Sequence, residues 1–206
     1  MVAIGVFDAA WARADHVAAA HAFLAANATQ ALQVDELLRA EWAARVSALD
    51  LYVHEVVADK MLDILQGTRP PSASFQKFQL GCDVLLMGSA HANFASAADL
   101  AIRARIERQT FQLPDDIAEV VRHISDSELW NEVAMKRGAT SQTVVNDAKA
   151  IKRQLTQIVN RRNKIVHEAD LQPGIPRTPW PISADDLTVV RTFVRATVVE
   201  IDEIIG

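Results

Sequence analysis

Arg162 and His167 stand in the stretch "IVNRRNKIVHEAD", residues 158 to 170, and both side chains suit catalysis. A histidine, with an ordinary pKa of about 6.5, can take or give a proton around neutral pH. An arginine stays ionised, carries five donors and can grip two oxygens of an anion at once. Together they supply proton transfer and a stabilising charge for a reaction at an anionic centre. Asn163 lies between them and can orient the histidine or hold the anion.

The spacing constrains how such a set can work. Leu155, Ile158 and Val159 fall on one face of a helix, and Ile165, Val166 and Ala169 continue it. At about 100° per residue, Arg162 lies at the centre of that apolar stripe. A guanidinium there is either structural, paired with a buried acid, or functional, aimed into a cleft. Five helical steps put Arg162 and His167 about 140° apart, so one helix does not set them side by side. Asn160, Asn163, His167 and Asp170 form a polar face beside the stripe, toward which the long arginine can reach. It can also meet the equivalent helix of a second subunit. Lys152, Arg153, Arg161, Arg162 and Lys164 gather cations here, either as a solvated face or as a small basic site.

Nearly every segment that could position these residues reads as helix. A first helix is predicted over residues 8–27 with Asp8 as N-cap, and a long second one from about Val34 to Leu65, stopped by Gly67, Pro70 and Pro71. A short helical piece near Ser74 to Leu80 and a stretch rich in small residues follow. Pro114 opens another helix, and "SELWNEVAMKRG" closes on Gly138. The motif helix covers residues 141–169, a proline-rich loop 171–182, and a last helix 183–205 that starts with Ser183 and Asp186 as a capping-box-like pair. No strand alternation persists. The fold class is therefore all-α. Residues 1–206 read as one domain, an up-and-down helical bundle with short inserted helices, its three longest helices antiparallel candidates.

Composition narrows the class further. Half of the 206 residues are hydrophobic but only 6% aromatic, which suits helices packed on helices. The net charge of -5 argues against a general nucleic-acid coat but allows an enzyme with one basic site. No apolar run reaches the ~18 residues of a membrane span, and no signal-peptide pattern opens the chain. The lone Cys82 excludes an internal disulfide and a Cys-based zinc site. A cytoplasmic protein without membrane contact is the expectation.

The quoted motif, together with "ALDLYVHEVV", "TFQLP", "LWNEVA" and "VNRRNKIVHEADLQPG", resembles the RiboL-PSP branch of HEPN domains from about Leu38 onward. "RRNKIVH" matches that family's R-x4-6-H signature, with a polar residue directly after the arginine. The resemblance implies a homodimer that brings two motifs together, and a metal-independent endoribonuclease without cofactors, acting as a toxin or in phage defence under an antitoxin or regulatory partner. In that role Arg162, Asn163 and His167 are catalytic, with Arg161 and Lys164 supporting them. RNA carries its own nucleophile, the 2'-OH, so proton transfer and charge stabilisation suffice and no metal is required. The alternative is a catalytically silent HEPN bundle that binds a protein or nucleotide or serves assembly.

Asp50 and His54, four apart on the largely apolar second helix, are a quieter candidate set. They are either a local pair or a support that packs toward the motif helix and orients Arg162. His16, His21, His91 and His123 read as surface or packing residues. Trp180 reads as a pin for the proline-rich loop, or as a platform for a base.

Overall fold

The computed structural model describes residues 3–27, 29, 32–81, 84 and 94–206. Among them are seven helices: α1 (Ala3–Asn27), α2 (Asp35–Leu65), α3 (Phe94–Ile106), α4 (Pro114–Val121), α5 (Leu129–Lys136), α6 (Val144–Glu168) and α7 (Ala184–Ile205). The all-α class is as the periodicity predicts. The only β feature among the described residues is an isolated antiparallel bridge between Leu171 and Pro179. No helix there is long and apolar enough to cross a membrane. Cys82 and His91 lie outside the described residues.

α2 is the axis of the bundle, and side-chain bonds fix the direction of its neighbours. Arg45 of α2 donates to the Trp11 carbonyl and the Asp15 carboxylate, while Tyr52 meets the ring of Phe7 edge-on at 6.1 Å. Numbers rise along α2 as they fall along α1, so the two are antiparallel. Trp42 Nε1 donates to the Ile158 carbonyl at 3.0 Å, and Arg39 shares the Asp170 carboxylate with Arg161. α6 therefore also runs against α2. α7 does not: Glu41 accepts from Arg191, and Tyr52 donates to Asp202, with both numbers rising together. Of the three helices expected to be mutually antiparallel, α2 and α7 are parallel and α6 runs against both.

Boundaries depart from the expected ones where burial overrides local signals. α1 begins at Ala3, not at Asp8, because Ala3 and Phe7 extend the buried stripe of Trp11 and Ala14 toward the N-terminus. Asp8 is then a mid-helix residue paired with Arg195 at 3.1 Å. The helical piece expected at 74–80 contracts to one 3-10 turn, Phe75–Lys77, followed by extended backbone at Phe78. α6 starts three residues later than expected. α4 opens with Pro114 in its first turn, and Ser183 with Asp186 forms the full capping box of α7. Gly67 and Gly138 adopt left-handed φ values of 75° and 93°, which stop α2 and α5 where a side chain would be strained.

Buried side chains of all seven helices form one contiguous cluster. Inside it sits a polar knot. The Glu41 carboxylate is fully buried and accepts from Arg45 at 2.8 and 3.1 Å and from Arg191 at 2.6 and 2.7 Å. Arg45, itself fully buried, carries its remaining donors to α1 and lies 4.2 Å over the ring of Trp11. Removing one member of a buried ion pair leaves the other desolvated and unpaired. Glu41→Ala is expected to lower the free energy of unfolding by about 3–5 kcal/mol in a urea titration. Glu203→Ala, which breaks the exposed Lys136–Glu203 pair, should cost about 1 kcal/mol or less.

Candidate active site

The last turns of α6 and the chain that follows carry the motif. Ala169 (φ 52°) and Asp170 (φ 55°) both adopt left-handed backbone, an uncommon state for residues other than glycine. This turn takes Asp170 off the helical face that it was expected to share with Asn160, Asn163 and His167. Its side chain is fully buried. One carboxylate oxygen, Oδ2, accepts from Arg39 Nε at 3.0 Å and from Arg161 Nη2 at 2.7 Å. The Asp170 carbonyl accepts from Trp180 N at 2.8 Å, and the Trp180 carbonyl accepts from Arg39 at 2.6 Å. A carboxylate, two guanidiniums and one loop carbonyl thus clamp the end of α6 to the start of α2 and to the proline-rich loop.

This clamp settles where Arg161 and Lys164 go. Arg161 is spent on Asp170 and on the Pro181 carbonyl at 3.1 Å. Lys164 Nζ lies 5.7 Å over the Trp180 ring, and the backbone N–H and carbonyl of Trp180 are bonded to Asp170 and Arg39. The backbone of Trp180 pins the loop to the end of α6 and the start of α2.

Arg162 is different. It is half-buried, and its one hydrogen bond among the described residues runs from Nη1 to Asn163 Oδ1 at 3.2 Å. Its Nε is buried without a partner, as is that of Arg161, but unlike Arg161 it reaches no carboxylate among the described residues. The two buried arginines of α2, Arg39 and Arg45, each have carboxylates; Arg162 is paired with none. The apolar face around it is also incomplete. Leu155, Ile158 and Val159 are buried, but Val166 is 47% exposed and Ala169 lies in the exposed turn. Among the described residues the continuation of the stripe beyond Arg162 is only partly covered, with Ile165 half-buried, because α6 there lies beside the first turns of α2. His167 is exposed and Asn163 half-buried on the flank of the same helix end.

Asp50 and His54 are not brought to Arg162. Asp50 accepts from Phe111 N at 2.6 Å and Gln112 Nε2 at 3.0 Å, and His54 Nε2 lies 3.8 Å from it. His54 packs on the Phe111 ring at 4.6 Å. Asp50 is eleven residues along α2 from Arg39, so it lies about 16 Å from the motif end of that helix. The pair anchors the segment between α3 and α4. His123 packs edge-on against Phe78, His16 is exposed and His21 half-buried. Among the described residues no three His, Cys, Asp or Glu side chains are grouped so as to hold a metal ion.

Arg39 and the buried role of Asp170 were not read from the sequence. A signal for Arg39 existed: like Arg162, it stands on an apolar stripe, here with Trp42, Val46 and Val53. Asp170 gave none, since helical counting places it outward and only the left-handed turn sends it in.

An all-helical bundle that exposes an Arg-Asn-x3-His end on its penultimate helix has the attributes of a HEPN domain. The chain matches the RiboL-PSP-HEPN family model over residues 14–206 and belongs to that family. No curated protein and no solved structure matches it.

The contrast between the two kinds of arginine is measurable. Asp170→Ala strands two guanidiniums and is expected to cost about 3–5 kcal/mol of folding stability. Arg162→Ala strands no acid, so its cost should stay within about 1 kcal/mol. Parallel chemical denaturation of both variants checks this. A larger loss for Arg162→Ala than for Asp170→Ala would show that Arg162 holds the fold.

Proposed function

We propose that this protein is a metal-independent endoribonuclease that works as a homodimer, with Arg162, Asn163 and His167 as its catalytic residues. HEPN domains are often ribonucleases. The observation that carries the reading in this chain is the guanidinium of Arg162, unpaired with any acid among the described residues and held by Asn163, on the helix end that also carries the exposed His167. In the reaction, a base removes the proton of the ribose 2'-OH and its oxygen attacks the adjacent phosphorus. The bond to the 5'-oxygen breaks, and an acid protonates the leaving oxygen. The products are a 2',3'-cyclic phosphate and a 5'-hydroxyl end. Arg162 stabilises the negative charge that grows on the phosphoryl oxygens.

A single histidine offers one acid or one base, whereas the reaction needs both. Two copies related by a two-fold axis supply both. The partly covered stripe around Arg162 and Val166 favours this arrangement, since a second motif helix would bury it. A nuclease of this kind needs restraint in its cell, so an antitoxin or other regulatory partner belongs to the proposal, with toxin or phage-defence activity as its setting.

The test is incubation of the purified protein with total RNA in EDTA, followed by mapping of the product ends. Cyclic-phosphate and 5'-hydroxyl ends are expected. His167→Ala should lower the rate by about 10²–10⁴-fold, the usual contribution of a positioned acid or base. Arg162→Lys keeps the charge but loses the planar fork, so it should cleave poorly while melting like wild type. Wild-type rates in the His167→Ala protein would remove the histidine from the mechanism. A strictly monomeric species with full activity would end the two-motif scheme.

A further inference from the structure

The surface of α6 away from the core suggests where a substrate strand lies. α6 carries six Lys and Arg against two Asp and Glu, in a chain whose net charge is -5. The rest of the chain therefore carries -9. On a helix of about 100° per residue, Lys149, Arg153, Asn160, Lys164 and His167 fall within a sector about 60° wide. All five are exposed. From Lys149 to His167 that line holds no carboxylate and no aliphatic side chain, and it extends about 27 Å at 1.5 Å per residue.

Alignment on one face, with no carboxylate along it, separates these cations from other surface charge such as Arg13 and Arg108, which are also exposed. Lys152 and Arg161, on the flanks of the line, are paired with Asp115 and Asp170. Among the described residues Lys149, Arg153 and Lys164 form no ion pair, although acids outnumber bases in the chain. A protein–protein contact would place apolar or aromatic side chains at its centre. A line of Lys, Arg and Asn is the composition that contacts phosphates.

We infer that single-stranded RNA binds with its backbone along this line, Lys149 and Arg153 holding phosphates several nucleotides from the bond that meets His167. The inference rests on the nuclease reading for its substrate, but its binding step does not require cleavage. It implies a one-sided requirement: RNA must extend past the cut toward the N-terminal half of α6, so short oligonucleotides should bind weakly.

The test uses the His167→Ala protein and a fluorescein-labelled oligouridylate of roughly fifteen nucleotides, with anisotropy measured over a range of salt. Each lost phosphate contact to a single strand lowers the slope of log K against log salt by about 0.7. Lys149→Gln/Arg153→Gln should therefore flatten the slope by about 1.4 and weaken binding irrespective of sequence. Arg13→Gln/Arg108→Gln removes the same charge from exposed sites elsewhere and should leave the slope unchanged. Equal losses in the two double variants, or none in the first, overturn the inference. Binding that depends on Lys149 and Arg153 in a protein that never cuts RNA would support it while removing the nuclease reading. In an active wild-type background the first double variant should raise KM and leave kcat within about twofold. An unchanged KM there would overturn the inference and leave the nuclease reading standing.

Discussion

The motif end of this protein depends on the buried carboxylate of Asp170. Two cations, Arg39 and Arg161, meet on one of its oxygens, and its backbone holds Trp180. Burying such a group is favourable only because the partners are in place, and their attraction does little more than repay desolvation. What the arrangement gains is geometry. α6 ends at a fixed register on α2, and the proline-rich loop is tied to that end, so His167 and Asn163 project from a rigid shoulder. Two consecutive left-handed residues store some strain at the turn, and the ion triad over-determines it.

That constraint also explains what could be read from the sequence. The bundle, the long second helix, the capping box and the helix-opening proline follow from periodicity and from side chains acting within a turn of themselves. The start of α1 did not, because Asp8 is a good local N-cap and only the burial of Ala3 and Phe7 against the core outweighs it. The parallel course of α2 and α7 is likewise a tertiary fact, fixed by Glu41–Arg191 and Tyr52–Asp202. Within the site, Arg162, Asn163 and His167 stood out as a type and a spacing. Asp50 stood out for the same kind of reason, as a carboxylate on an apolar helix, but its donors come from the Phe111 segment more than sixty residues away.

An arginine on an apolar stripe is therefore one signal with two meanings, and the partner decides between them. Arg45 and Arg39 meet carboxylates and hold helices together; Arg162 meets only a neighbouring amide. The cost of desolvating an unpaired guanidinium has to be met somewhere. In the proposed nuclease, a phosphate oxygen or the face of a second copy would meet it. The same reasoning accounts for the position of Arg162, where among the described residues the stripe passes from buried Val159 to exposed Val166.

The charge distribution extends this division from single residues to whole elements. The chain outside α6 carries -9 and α6 carries +4, so a polyanion is favoured along α6 over the bundle taken as a whole. Net charge alone argues against nucleic-acid binding, yet a segregated field guides a strand better than an evenly basic surface, because it leaves one path. The acids that offset the flanking cations, Asp115 and Asp170, leave the exposed line unneutralised. Pairing on the flanks and none along the line is what a helix needs if it is to be held by the bundle on one side and to bind a phosphate backbone on the other.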